Sequence, residues 1–292
     1  MQFTSVQELI ELAENSQQTI GQIVLAQQVE ELGSSSEEIY QRMAGKLATM
    51  RQAASEGKAL TQRSPSGLSG GDANKMDAAL RAGKTVGGRV LGKALVTALA
   101  VTEVNACMGR IVASPTAGAC GILPASILTI LEEQDLPLEK GVMGLFTAGG
   151  IGMVIASRAT ISGAEGGCQA ECGSAAAMAA AALVEMMGGT PTQAGHACAI
   201  ALKNILGSVC DPVAGLVEAP CIKRNTIGVA NALVATDLAL AGITSVIPVD
   251  EVIDAMGSVG QLMSAALRET AEGGLAATPT GRRIAQEVFG DR

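Results

Sequence analysis

The stretch AECGSAAAMAAAALVEMMGGTPTQAGHACAIALKNILG, residues 170–207, decides the fold. Its first half is a nearly unbroken run of alanine, the residue that loses least on entering a helix. The run stops at Gly188-Gly189, and glycine closes helices through a left-handed turn. Thr190-Pro191 then reopens the chain as a helix start, a capping hydroxyl followed by a ring whose φ is already helical. Side chains this small let helix axes approach closely, so the region reads as buried helices packed on one another.

Working outward, NTIGVANALVATDLALAG (225–242) reads as a further buried helix ended by Gly242. Upstream, VQELIELAEN sets Val6, Leu9, Ile10 and Leu12 near helical spacing. SSSEEIYQRMAGKLATMRQAASEG (34–57) joins serine caps and glutamates to an apolar face of Ile39, Met43, Leu47 and Met50. No run alternates apolar and polar residues long enough to demand a strand, and ITSVIPV (243–249) is β-branched but short. The expected fold class is mainly α. Gly/Ser/Pro segments at 63–72 (RSPSGLSGGD) and 113–124 (ASPTAGACGILP) punctuate it. The first sets off residues 1–62 as an N-terminal helical arm and 63–292 as the main body. The arm's helices are too few to form a core alone, so one continuous domain is expected.

The chain has 292 residues, 48% of them hydrophobic, and a formal net charge of −8, which suits a globular body and not a disordered one. No dense Lys/Arg stripe is present, so nucleic acid is not an expected partner. The N-terminal segment carries acids early and lacks the pattern of a signal peptide. The least charged run, GVMGLFTAGGIGMVIAS at 141–157, is at the lower edge of a membrane span; its glycines favour a buried helix. A cytoplasmic protein without a membrane partner is expected. There, seven cysteines are reduced thiols, metal ligands or core residues more often than disulfides.

Cys107, Cys120, Cys172 and Cys198 sit among alanines and glycines and read as small core residues. Cys168, Cys210 and Cys221 stand apart. Asp211-Pro212 and Pro220 break the helix beside the last two, and Cys168 follows Gly166-Gly167 at a helix start, where free N–H groups favour a thiolate. Paired zinc knuckles are missing, and His196 is the one imidazole. Thiolates alone point toward an iron–sulfur cluster; core packing, a redox pair and disulfides stay open on spacing alone.

GCQAECGSA, CDPVAGLVEAPCIKRN, SPSGLSGGDANK and VNACMGRIVASPTAGACGILPA closely resemble the alpha chain of bacterial iron–sulfur L-serine dehydratase, with similarity continuing to LAATPTG at 275–281. The resemblance implies a helical, iron–sulfur catalytic domain that converts L-serine to pyruvate and ammonia without pyridoxal phosphate. It implies a [4Fe-4S] cluster on Cys168, Cys210 and Cys221, and a separate beta chain in a hetero-oligomer. The family's single-chain type ends in a cysteine, whereas this sequence ends FGDR. Cys172 stands where the family commonly has an aliphatic residue, so a core thiol is expected there and a fourth ligand is the alternative.

With only three thiolates, one iron stays open as a Lewis acid for the substrate hydroxyl. The substrate carboxylate needs donors, and the two Ser/Thr/Gly loops can supply hydroxyls and backbone N–H groups. The candidates are Ser66, Ser69, Gly70, Ser114, Thr116 and Gly118, against their reading as plain turns. For the base, His196 has a suitable intrinsic pKa, and Lys203 lies two turns along the same face; a partner chain could supply the base instead. L-cysteine or L-threonine as substrate, and an iron–sulfur sensor without turnover, are the rival readings. The sensor would close its cluster with four protein ligands.

Overall fold

The computed structural model describes residues 3–290, so Asp291 and Arg292 of the FGDR ending lie outside the described residues. Among the described residues there are helices and no strands. In chain order they are α1 (Val6–Asn15), α2 (Ile20–Leu32), α3 (Ser36–Ala59), α4 (Asp72–Arg81), α5 (Gly88–Ala106), α6 (Ile122–Glu133) and α7 (Leu138–Arg158). A short α8 (Gly163–Gly166) follows, then α9 (Ser174–Met186), α10 (Pro191–Lys203), α11 (Cys221–Leu240), α12 (Val249–Leu262) and α13 (Pro279–Phe289).

The alanine run forms α9, and every residue of that helix is buried. Helices α6, α7, α10 and α11 surround it. Small side chains make this possible: a Cβ on Gly144 of α7 would come 3.0 Å from Met186 Sδ, and one on Gly152 would come 2.9 Å from Met178 Cε. The cap signals hold as well. Thr190 and Gln193 form a reciprocal capping box on α10, and Ser35 caps α3 through Glu38 N.

Residues 3–62 pack into the same core. Val6, Leu9, Ile10, Ile20, Ile23 and Val24 join one apolar cluster with the α9 alanines. Helix α3 presses on α5 so closely that a Cβ on Gly57 would overlap the Ala100 carbonyl group. The weakly charged run at 141–157 lies in α7, a helix long and apolar enough to cross a membrane and here wedged between α2 and α9 in the core.

Several helix starts take their acceptors from far along the chain. The four leading N–H groups of a helix have no partner inside it, and a carboxylate also complements the dipole there. Asp250 accepts from Val6 N (2.9 Å) and Gln7 N (3.0 Å) at α1. Glu185 accepts from Ile20 N (2.5 Å) and Gly21 N (3.2 Å) at α2, and from the Thr147 hydroxyl. Glu103 accepts from Asp72 N at 2.6 Å and Ala73 N at 3.4 Å at α4. These acids, Glu103 and Glu185 buried and Asp250 half-buried, fasten the helices to one another.

Candidate active site

The helix expected from Cys168 onward is interrupted. Gly167 takes φ +75°, and Gln169–Gly173 winds as a π-turn before α9 begins. Such a turn widens the helix by one residue and recurs at functional positions. A side chain at Gly167 would meet Ser208 O at 2.7 Å, so glycine there is required by both space and backbone. Gln169 then stitches this turn to the segment leading into Cys210: its N donates to Ser208 O (3.1 Å), and its Oε1 accepts from Gly207 N (2.8 Å).

Cys210 is fixed by a single bridge to residues 267–269, with Cys210 N donating to Leu267 O (2.9 Å) and Glu269 N to Cys210 O (2.7 Å). Cys221 opens α11. Just after Cys221, Arg224 forms an ion pair with Asp211 Oδ1 (2.7 Å) and donates a hydrogen bond to Val209 O (2.8 Å), closing the proline-broken segment back on itself. Asp211 Oδ2 accepts from Leu275 N (2.7 Å), which brings the LAATPTG segment onto the same loop.

Electrostatics place the three thiols in one locale. Burial pushes the Cys221 thiol up to about 12, with Cys168 and Glu171 adding to the effect. Burial, then Glu171, Glu269, Cys221 and Cys168, push Cys210 well up. Cys168 goes the other way: the Cys172 S–H donates to it and the Arg224 cation faces it, so its pKa falls despite burial. Burial alone works against the Arg224 charge, but Cys168, Asp211 and Cys221 outweigh it. All seven cysteines are free thiols.

Among the described residues no three Cys, His, Asp or Glu side chains crowd closely enough to share a single ion. A multinuclear group separates its ligands more widely, and the donors here are sulfur with a neighbouring guanidinium. Sulfur donors beside a guanidinium are the donor chemistry that an anionic iron–sulfur group would take. Cys172 lies beside Cys168 as its hydrogen-bond donor, and its own pKa is raised well up, first by that bond and then by burial.

Glu171 belongs to the same locale and was not anticipated. Its Oε2 lies 4.0 Å from Cys210 Sγ, and a Cβ on Gly163 would come 2.7 Å from that same oxygen. Burial raises its pKa, against the Thr116 hydroxyl that bonds it. The second loop is therefore at the thiols: Thr116 touches Glu171, and a Cβ on Gly118 would be 3.2 Å from Glu171 Oε1. Asn225, four residues after Cys221, holds that loop from behind through Gly118 O (2.7 Å) and Gly121 N (2.9 Å). Ser114 turns inward to its own strand of chain, its Oγ on Val112 O at 3.4 Å.

The first loop binds a carboxylate, but the protein's own. Ser64 Oγ and Ser66 Oγ each donate to Glu218 at 2.6 Å, and the Ser69 hydroxyl donates to it too. Lys223 reaches across to Asp72 Oδ2 (2.5 Å), so the loop is tied twice to the Cys221 segment. The hydroxyls of Ser66 and Ser69 are thus occupied, while the N–H of Gly70 has no partner among the described residues. His196 and Lys203 share one task elsewhere. His196 Nδ1 accepts from Ser245 N at 3.4 Å, and the Lys203 ammonium donates to Ser245 O, so both brace the loop between α11 and α12.

A family profile described as "Serine dehydratase alpha chain" matches residues 15–276. The chain belongs to the serine dehydratase alpha-chain family. It is 52% identical over 289 residues to a probable L-serine dehydratase, alpha chain, of Bacillus subtilis, covering 99% of this chain and 96% of that one. It is 44% identical over 285 residues to the L-serine dehydratase, alpha chain, of Peptoniphilus asaccharolyticus, covering 98% of each. An L-serine dehydratase of Haemophilus influenzae is 46% identical over 191 residues, which is 64% of this chain but only 42% of that longer protein. In this family member, then, Cys168, Cys210, Cys221, Thr116 and Gly118 share one region, and Ser66, Ser69 and Gly70 border it through Glu218.

Proposed function

We propose that this alpha chain dehydrates L-serine to pyruvate and ammonia, holding a [4Fe-4S] cluster on Cys168, Cys210 and Cys221. The observation that carries the reading is the meeting of these three thiols with Glu171 and the Thr116–Gly118 turn, in a chain of the serine dehydratase alpha-chain family. When bound, such a cluster supplies a Lewis acid for the substrate's β-hydroxyl. Arg224 offsets part of the cluster's negative charge, a use of guanidinium that Asp211 orients.

The remaining work falls to the protein's own groups. The N–H groups of Thr116, Ala117 and Gly118 have no partner among the described residues and can take the substrate carboxylate. Glu171, held by Thr116, is the carboxyl of this chain placed to carry a proton, at Oε2, during loss of the α-hydrogen or of the hydroxyl. Elimination of water leaves aminoacrylate, which tautomerises and hydrolyses to pyruvate and ammonia. A second, beta chain completes the enzyme in this proposal, in line with the relatives' description as alpha chains.

The test is pyruvate formation by anaerobically purified enzyme, chain and partner together, from L-serine, L-threonine and L-cysteine. Turnover of L-serine with the highest kcat/KM supports the reading. Preference for L-cysteine or L-threonine reassigns the substrate, and an iron-loaded protein that turns over none of them is a sensor.

A further inference from the structure

Glu218 lies between Cys210 and Cys221 in the chain, and its buried carboxylate takes hydroxyl donors from Ser64, Ser66 and Ser69 together. No cation pairs with it among the described residues, so those hydroxyls are its main compensation. The loop is shaped around this anion. Leu68 N and Ser69 N donate to the oxygens of Ser66 (3.1 Å) and Ser64 (3.3 Å), so the hydroxyls pass on to Glu218 the polarisation they receive from the backbone. Ser64 N also reaches Ser69 O at 3.0 Å, and Gly67 N reaches Ser64 O at 2.8 Å, closing the turn.

At its far end the same loop is held by Glu103, through Asp72 N and Ala73 N. Two internal carboxylates therefore fill the hydroxyl donors and the helix-start donors of a loop that would otherwise bind a free anion. What remains without a partner among the described residues is the N–H of Ser66, Gly70 and Gly71. Gly70 has no room for a side chain: a Cβ there would come 2.8 Å from Gln62 O, and its φ is +129°.

We propose that Glu218 is a positioning residue: it fixes the serine loop against the Cys221 segment so that the loop's free backbone amides, and not its serine hydroxyls, meet the substrate. This rests on the serine dehydratase reading above. Removing the carboxylate leaves three buried or half-buried hydroxyls without their acceptor, and the loop drifts relative to Cys221. Glu218→Asp keeps the charge and shortens the reach, and so rescues in part.

The experiment compares wild-type enzyme with Glu218→Ala, Glu218→Gln and Glu218→Asp, anaerobically and with the partner chain. It reads kcat and KM for L-serine, iron and sulfide per chain, and amide exchange over residues 63–72. The expected result is faster exchange in that loop and a KM raised tenfold or more in Glu218→Ala. Iron content stays at the wild-type level, and Glu218→Asp falls between. The proposal is overturned if loop exchange is unchanged, if KM stays within twofold once the loop has loosened, or if iron is lost in proportion to activity. A wild-type enzyme that makes no pyruvate would sink the functional reading by itself, and the exchange data would still decide whether Glu218 holds the loop.

Discussion

Arg224→Leu is the most informative single change for the architecture of the cysteine region. The guanidinium makes an ion pair with the Asp211 carboxylate at 2.7 Å and a hydrogen bond to Val209 O at 2.8 Å. Asp211 is 3% exposed, while the Arg224 side chain is 26% exposed. Removing one partner of a fully buried pair costs roughly 3–5 kcal/mol, chiefly because the other charge is stranded. Partial exposure of Arg224 lets water reach the site, which lowers the expected cost to about 2–3 kcal/mol. Asp211 would keep only its bond from Leu275 N, so the 274–281 segment should loosen with it. Urea unfolding gives the free energy, and amide exchange at 209–211 and 274–277 gives the location. Arg224→Leu combined with Asp211→Asn removes both charges and should recover about 1 kcal/mol or more of the single variant's loss. A single variant within ~0.5 kcal/mol of wild type, or a double variant as damaged as the two singles added together, would refute this reasoning.

Gly57→Ala should destabilise by about 1–3 kcal/mol, because its Cβ would meet backbone, with Ala100 Cα at 2.7 Å, which cannot rotate away; chemical denaturation checks it, and a neutral outcome would mean α3 and α5 separate readily. Glu185 bears on pH dependence. Burial raises its pKa above the ordinary 4.5, so its proton is held more tightly in the folded than in the unfolded state. Its contribution to stability is then full below about 4.5 and is lost as pH rises through the higher folded value. Relative to Glu185→Gln, wild type should therefore lose ground as pH rises above 4.5; parallel stability curves for the two proteins would count against it. Asn225→Ala should free the 116–121 turn and raise KM for L-serine, and an unchanged KM with a loosened turn would remove that turn from substrate binding.

The helical fold was legible because local chemistry dictates it: alanine in α9, Gly188-Gly189 at its end, and Thr190-Pro191 at the next start act within a few residues. The breaks in helix beside Cys210 and Cys221 were legible for the same reason, since Asp211-Pro212 and Pro220 act locally. Glu171 sat inside a quoted motif, yet only the π-turn shows that its carboxylate points toward Cys210. Glu218 was invisible as a partner of Ser66 and Ser69, since 152 residues separate Ser66 from it and nothing local signals the pairing. Ser64 could have been grouped with the other two serines from its place in SPSGLS. His196 and Lys203 were correctly seen to share a face. What they face, the Ser245 backbone, depends on how the α11–α12 loop returns.

The central claim is tested most directly by the iron and acid-labile sulfide content of anaerobically purified Cys168→Ala, Cys210→Ala, Cys221→Ala and Cys172→Ala variants. The account predicts that wild type and Cys172→Ala carry four iron and four sulfide per chain, and that each of the other three loses them. Loss in Cys172→Ala as well, or full loading in any of the other three, would contradict a group held by those three sulfurs.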